Sequence, residues 1–284
     1  MKRIIPFLLL AALPLLAQAQ VEETNDTMDD AMPTMEQNDE KNSEEEEILE
    51  RAQNGDAEAQ LILAKTFDFG KPEQVNKEEA VKWYLAAAEQ DNEEAQYFLS
   101  THLFRGDGVQ RSVAQAIKWC QRAAEQGYEQ AQYTMGVCYA NGMGVRKSIA
   151  DAADWWLKAA EQGHAAAQCE MGVYYSKKEN EDASAEEAVK WFLLSAEQGN
   201  PRAQGYLGKC YYDGEGVKKS YTEAVKWYRL AANQGNHHAQ NNLAICYQNG
   251  QGVEQNEAEA KRLFRLAANQ GNELAKGNLK AVNQ

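Results

Sequence analysis

Apolar and small positions recur along this chain every 36 residues. Ala-Gln pairs stand at 59–60, 95–96, 131–132, 167–168, 203–204 and 239–240, and Ala275-Lys276 continues the count. Counted from each Ala as zero, position 4 is Leu63, Leu99, Met135, Met171, Leu207 or Leu243, and position 5 is small (Ala64, Ser100, Gly136, Gly172, Gly208, Ala244). Position 8 is large: Phe67, Leu103, Tyr139, Tyr175, Tyr211, Tyr247. At 100° per residue, positions 0, 1, 4, 5 and 8 fall within about 140° of one another, one buried stripe on a helix, here helix A. A second helix, B, follows in each unit, as in Glu78-Glu79-Ala80-Val81-Lys82-Trp83-Tyr84. Its Trp83, Trp119, Trp155, Trp191, Trp227 and Leu263 keep the same period and are expected to fill the space beyond the small residues.

Turn residues sit where two helices per unit require them. Gly106-Asp107-Gly108-Val109, Gly142-Met143-Gly144-Val145, Gly214-Glu215-Gly216-Val217 and Gly250-Gln251-Gly252-Val253 close helix A. The first Gly suits a left-handed cap and the second a tight reversal. Gly127, Gly163, Gly199, Gly235 and Gly271 close helix B. A lone helical pair exposes an apolar face, so such units gain stability by stacking. The predicted fold is all-α, an α/α superhelical solenoid of six 36-residue repeats (55–90, 91–126, 127–162, 163–198, 199–234, 235–270). A half-unit from Ile48 to Gly55 and a cap over 271–284, polar on its outer side (Asn278, Lys280, Asn283), bound it. Two turns depart from the pattern, Gly70-Lys71-Pro72-Glu73 and Lys178-Glu179-Asn180-Glu181, and are expected to be more mobile.

The combined pattern, Ala-Gln-x-x-Leu-Gly-x-x-Tyr-x-x-Gly-x-Gly-Val followed by Ala-Val-Lys-Trp-Tyr-x-x-Ala-Ala-Glu-Gln-Gly, resembles the Sel1-like repeat. That family is related to the tetratricopeptide repeat and has a longer inter-helix turn. The resemblance spans residues 48–284. It implies a superhelical scaffold for protein–protein contacts, often in exported bacterial proteins.

The rest of the chain changes this picture at the N-terminus. Lys2-Arg3, an apolar run from Ile4 to Ala17 and Ala17-Gln18-Ala19 read as a cleaved signal peptide over residues 1–19. The run is too short to span a membrane. Residues 20–47 follow as an acidic linker; 21–47 hold 12 acidic residues, one Lys and no aromatic ring, a composition expected of a solvated, disordered spacer. The formal charge of -14 therefore belongs mostly to this segment, since 31 acids and 26 bases remain once it and residues 1–19 are set aside. Such a balance disfavours nucleic acid and anionic membrane surfaces as partners. The expected location is periplasmic or secreted, and the expected state a monomer with no membrane span.

Candidate chemistry is sparse. The sequence lacks Ser-x-x-Lys, Lys-Thr-Gly, His-Glu-x-x-His, Gly-x-Ser-x-Gly and a phosphate-cradling loop, so no catalytic residue, cofactor or metal ligand is assigned. His237-His238 reads as a surface pair. Cys138, Cys210 and Cys246 share one repeat phase, too far apart to bond each other. Cys120 and Cys138 flank the reversal at Gly127 and form the one candidate disulfide; the favoured reading of all five cysteines is as small buried hydrophobes.

By resemblance to tetratricopeptide domains, the helix A face opposite the stripe lines a concave groove. Its candidates are Tyr97, Thr101, Phe104 and Arg105; Tyr133, Val137, Ala140 and Asn141; and Lys209, Tyr212, Asp213, Ile245, Gln248 and Asn249. Rings with polar tips beside Arg and Asn are what binding surfaces enrich. The expected function is an exported, non-catalytic scaffold holding a protein or peptide partner, a bacterial envelope regulator or adaptor. A released factor that meets host proteins is the alternative. A β-lactamase-like envelope hydrolase is disfavoured by the missing nucleophile.

Overall fold

The computed structural model describes residues 45–72, 74–177 and 182–282, and all regular structure among them is helical. The expected signal peptide and most of the acidic linker lie outside the described residues, as do Glu73 and residues 178–181 of the two departing turns. The chain divides into two compact units, residues 1–116 and 117–284. The first holds α1 (residues 45–53), α2 (Ala57–Phe69), α3 (Lys77–Ala88) and α4 (Glu93–Arg105). Helix α5 (Val113–Gln126) crosses the division. The second unit continues with α6 (Glu129–Asn141), α7 (Ile149–Glu161), α8 (Ala165–Ser176), α9 (Ala185–Glu197) and α10 (Pro201–Asp213). It ends with α11 (Tyr221–Asn233), α12 (His237–Asn249), α13 (Glu257–Asn269) and α14 (Glu273–Val282). Even-numbered helices are helix A and odd-numbered ones helix B. Helix α1 covers the start of the expected half-unit at Ile48. None of the helices is long and apolar enough to cross a membrane among the described residues.

The helices start where side chains satisfy their first free N–H groups. Asn76, Ser148, Ser184, Ser220 and Asn256 accept from the backbone N–H three residues on and open helices B. Asp56, Asn92, Asn200 and Asn236 do the same for helices A. Gly106, Gly142, Gly214 and Gly250 take the left-handed cap conformation at the ends of helices A.

The helix B tryptophans do not fill the gap beyond the small column. Trp155, Trp191 and Trp227 are only half-buried, and the next residue in each helix is the buried ring. A Cβ on Gly136, Gly172 or Gly208 would overlap the ring of Trp156, Phe192 or Tyr228. The reason is rotation: one residue is 100° of helix, so the Trp is turned off the small column and the next side chain meets it. Trp191 packs instead against the Tyr133–Trp156–Met171 cluster and Trp227 against the Cys169–Phe192–Leu207 cluster. Burying each of these rings contributes roughly 1.5–3 kcal/mol.

The Gln of the Ala-Gln pair is also a packing residue, but through hydrogen bonds. Gln132 Nε2 donates to Ala124 O (3.2 Å), and its Oε1 accepts from Gln162 Nε2 (2.8 Å), which also donates to Gly127 O (2.9 Å). Gln168 with Gln198 and Gln204 with Gln234 repeat the arrangement. Each buried Gln thus ties a helix A to the helices B before and after it, with its amide satisfied on both sides.

The second Gly of the turn has a tighter constraint than reversal. Gly216 (φ 69°) lies against the first turn of α9, where a Cβ would overlap Ala185 O; Gly252 stands likewise against Tyr221 O. Only a residue without Cβ lets successive units approach this closely.

None of the five cysteines forms a disulfide, so Cys120 and Cys138 are not bridged. Cys120 Sγ lies 3.6 Å from Ala131 O. Burial pushes the Cys138 and Cys169 thiols up to about 12, so they are unreactive packing groups.

Candidate functional site

In the second unit α8, α10 and α12 meet along one side, and this side carries the candidate groove residues. Lys209, Tyr212, Asp213 and Ile245 come together with Tyr228 and Asn242 around a depression of ≈ 160 Å³. Lys209 Nζ pairs with Asp213 Oδ2 at 2.5 Å, and that hydrogen bond holds the ammonium above its usual range. The Tyr212 hydroxyl donates to Gln251 Oε1 (2.8 Å), and its ring meets Tyr221 edge-on at 5.0 Å. Burial pushes its phenol, and that of Tyr228 beneath it, upward, so both stay neutral hydrogen-bonding groups. The depression therefore offers a neutral aromatic floor, an apolar Ile245 wall and a balanced ion pair at the rim. This is a surface for holding a ligand by shape and hydrogen bonds.

The remaining candidates are placed differently. Gln248 and Asn249 end α12; the Gln248 carbonyl accepts from Gln255, and Asn249 is exposed. Asn141 is exposed and donates to Val137 O (2.8 Å), while Val137 packs on the Trp156–Met171 cluster. Tyr133 is not a groove residue: it is 7% exposed and stacks on His164 with ring centroids 4.7 Å apart. His164 takes the helix-cap position that Asn200 and Asn236 hold elsewhere, and its large ring covers the tyrosine.

In the first unit Tyr97 is half-buried with its ring against Phe98 (5.6 Å), and Thr101 Oγ1 donates to Phe98 O (2.8 Å). Phe104 is half-buried and Arg105 exposed. The centre of this face is one the 36-residue columns did not single out. Phe98 stacks on Tyr84 (5.3 Å) and meets the exposed Phe69 edge-on (5.7 Å), with Lys65 5.9 Å over the Phe98 ring and Lys77 5.4 Å over Phe69. Under the rings lies Asp68, 4% exposed. Its carboxylate receives Lys77 Nζ (2.5 Å), the Tyr84 hydroxyl (3.2 Å) and faces His102 Nε2 (3.0 Å). Nδ1 of His102 faces the Asp107 carbonyl (2.9 Å), which can only accept, so Nδ1 bears a proton. Burial would raise Asp68, but hydrogen bonds and charge from His102 and Lys77 outweigh it and hold the carboxyl below its usual range. The sequence signal for this cluster was an acid at position 9 of one helix A and a His at position 7 of the next, each out of keeping with its column. Among the described residues, no group of three or more His, Cys, Asp or Glu is placed to hold a metal ion.

Comparison with known proteins follows the same periodicity. The Sel1 repeat pattern matches six times in succession, over residues 57–92, 93–128, 129–164, 165–200, 201–236 and 237–272. The chain belongs to the Sel1 repeat family. Proteins built of Sel1 repeats are generally non-catalytic scaffolds for protein–protein interaction. Among solved structures it is similar to a protective antigen of uropathogenic Escherichia coli strains that displays an SLR fold, at 34% identity and TM-score 0.75, over 84% of this chain and 51% of that one. This chain thus spans about half the length of that relative. It is also similar to a Sel1 repeat protein of Oxalobacter formigenes, at 31% identity and TM-score 0.67, over 75% of this chain and 85% of that one. No curated protein matches. These likenesses agree with the all-α repeat architecture.

Proposed function

We propose that this Sel1 repeat protein is an exported scaffold without chemistry of its own that holds a polypeptide partner against its helix A faces. The observation that carries the reading is the depression among Lys209, Tyr212, Asp213 and Ile245: side chains of adjacent repeats converge there with polar tips still turned outward. Rings and hydrogen-bonding tips in one recess are how interface anchors are held. A signal-like N-terminus supports export to the periplasm, where the protein would act as an envelope regulator or adaptor. The test is crosslinking in the intact envelope followed by mass spectrometry, then binding of the captured partner to Tyr212→Ala/Ile245→Ala. Partner affinity is expected to fall at least about tenfold, the size of one modest hot spot, while the helical signal persists. A partner that binds this variant as well as the parent overturns the reading.

The description of the uropathogenic relative as a protective antigen favours a second reading, in which the protein is released and meets host proteins. Fractionation of cells from medium separates the two: recovery in the periplasmic fraction supports the first, recovery in the medium the second.

A further inference from the structure

The aromatic face of the first unit has a basic rim and a chemically matching segment in the same chain. Ile62 and Phe69 are 38% and 55% exposed, unusual for large apolar side chains on one helix. They lie i, i+7 on one face of α2, where Phe69 meets Phe98 of α4 and Phe98 meets the half-buried Tyr97, an apolar floor of rings. Lys65 and Lys77 lie over its rings. Two carboxylates answer these cations: Asp68, sunk beneath the rings at 3% side-chain exposure, and Glu94, paired with Lys65 at the surface (2.8 Å). Exposed pairs of the second kind are weak and exchange readily. The ligand that fits is a stretch of flexible apolar side chains interleaved with carboxylates.

Residues 28–36 read Met-Asp-Asp-Ala-Met-Pro-Thr-Met-Glu. Three methionines, Met28, Met32 and Met35, alternate with Asp29, Asp30 and Glu36. Methionine adapts to irregular aromatic surfaces and its sulfur is attracted to ring edges. The segment also has a short tether. Glu45, in α1 and the first described residue, lines one cleft with Thr66 and Phe67 of α2, the helix that carries Ile62 and Phe69. Eight residues separate Glu36 from Glu45, a reach of up to about 30 Å over nine steps, against a helix diameter of about 10–12 Å. A linker this short places the segment at millimolar effective concentration beside the patch, which offsets much of its ordering entropy.

We infer that residues 28–36 are an intramolecular ligand of the first unit, seated on the Ile62–Phe69–Phe98 face with their carboxylates toward Lys65 and Lys77. Any partner using that face must displace the segment, so it acts as a built-in competitor. The inference stands on this patch and segment alone and does not require the partner reading above.

The experiment uses the full chain with Met32 replaced by p-benzoylphenylalanine, irradiated at low concentration and mapped by mass spectrometry. Crosslinks within one chain, concentrated on α2 and α4, are expected. Neutralising the segment by Asp29→Asn/Asp30→Asn/Glu36→Gln should lower their yield roughly fivefold, the size of three weak surface ion pairs. Phe69→Ser, at a position exposed enough to leave the fold unchanged, should lower it at least as much. Crosslinks scattered over both units, crosslinks joining two copies, or a yield untouched by Phe69→Ser each overturn the inference.

Discussion

In the first unit, position 7 of helix A is His102, bound to the buried Asp68 carboxylate and to a backbone carbonyl. In the second unit the same position holds Tyr174 in one repeat and Cys138, Cys210 and Cys246 in three others, thiols without charge whose pKa values burial raises. The ring that packs beside it differs in step. Tyr84 donates to Asp68 in the first unit, whereas in the second Phe192 brings no polar atom and Tyr228 brings a hydroxyl bonded to Asn242 rather than to a carboxylate. The repeat backbone therefore accepts either a satisfied polar network or an apolar filling at one site. The two respond differently to perturbation: an apolar filling loses contacts gradually, while a polar network fails when one member is removed.

The largest expected effect tests that contrast directly. Asp68→Ala leaves Lys77, His102 and Tyr84 without their common acceptor, and removing one member of a buried charged set costs about 3–5 kcal/mol. Chemical denaturation followed by circular dichroism should show an earlier transition for part of the helical signal. Cys246→Ala, which removes only a small apolar contact, should shift unfolding by about 1 kcal/mol or less. If the two variants unfold alike, the network contributes no more than the thiols do.

The positions in this comparison also mark what could be read from sequence. The 36-residue period, the stripe on helix A and the left-handed glycine caps were legible because each follows from periodicity and backbone sterics. The Trp was expected at the small column on account of its size, whereas the 100° step per residue brings the side chain after it there instead. The Gln–Gln clamps needed a partner 30 residues away, and no local rule supplies it. Tyr133 was placed in the groove because its position lies opposite the stripe on helix A; His164 of the next repeat closes over it. The Asp68 network was hidden for a related reason. It joins residues from two repeats that are each exceptions to their own columns, and a column-by-column reading averages exceptions away.

A second, smaller effect separates the units by pH. His164 Nδ1 accepts the Ala167 N–H at 3.2 Å to cap α8, so that nitrogen must be unprotonated. Burial lowers its pKa, and a cation there would oppose the positive end of the α8 dipole. Tyr133 is the titratable side chain stacked on the ring. Because the folded value lies below the unfolded one, the unfolded chain binds more protons between the two. Stability is full above about pH 6.5 and is lost as pH falls through that window, by at most about 1.4 kcal/mol per pH unit. Asp68 has the opposite origin: its carboxyl is held low, so its contribution persists until pH falls below about 4 and is lost only under stronger acid. Hydrogen-exchange protection factors at pH 7 and pH 5.5, corrected for the intrinsic pH dependence of exchange, should fall for α8 amides first and stay unchanged for α2 and α4. His164→Asn, which restores the cap found at Asn200 and Asn236, should remove the difference.

The smallest expected effect makes the first unit more like the second. Where helix B ends, the second unit has Gly127, Gly163, Gly199, Gly235 and Gly271 with φ of 86–107°, and open space where a Cβ would go. In the first unit Asp91 stands at the equivalent position with φ of 64°, the one non-glycine left-handed residue among those described. Left-handed backbone costs a residue with a Cβ roughly 1–2 kcal/mol, Asp less than most because its short polar side chain can bond locally. Asp91 Oδ1 recovers little of that: its contact with Gln96 Nε2 is long, 3.4 Å, and Gln96 already donates to Ala88 O at 3.1 Å. Asp91→Gly removes the strain but returns backbone freedom to the unfolded chain, which costs up to about 1 kcal/mol. The balance is a stabilisation of about 0.5 kcal/mol, read as a small rise in denaturation midpoint with unchanged slope. Asp91→Ala keeps the strained Cβ and loses the side-chain contact, so it should destabilise instead. A midpoint that falls in both variants would mean that Asp91 holds its turn by that contact rather than in spite of its conformation.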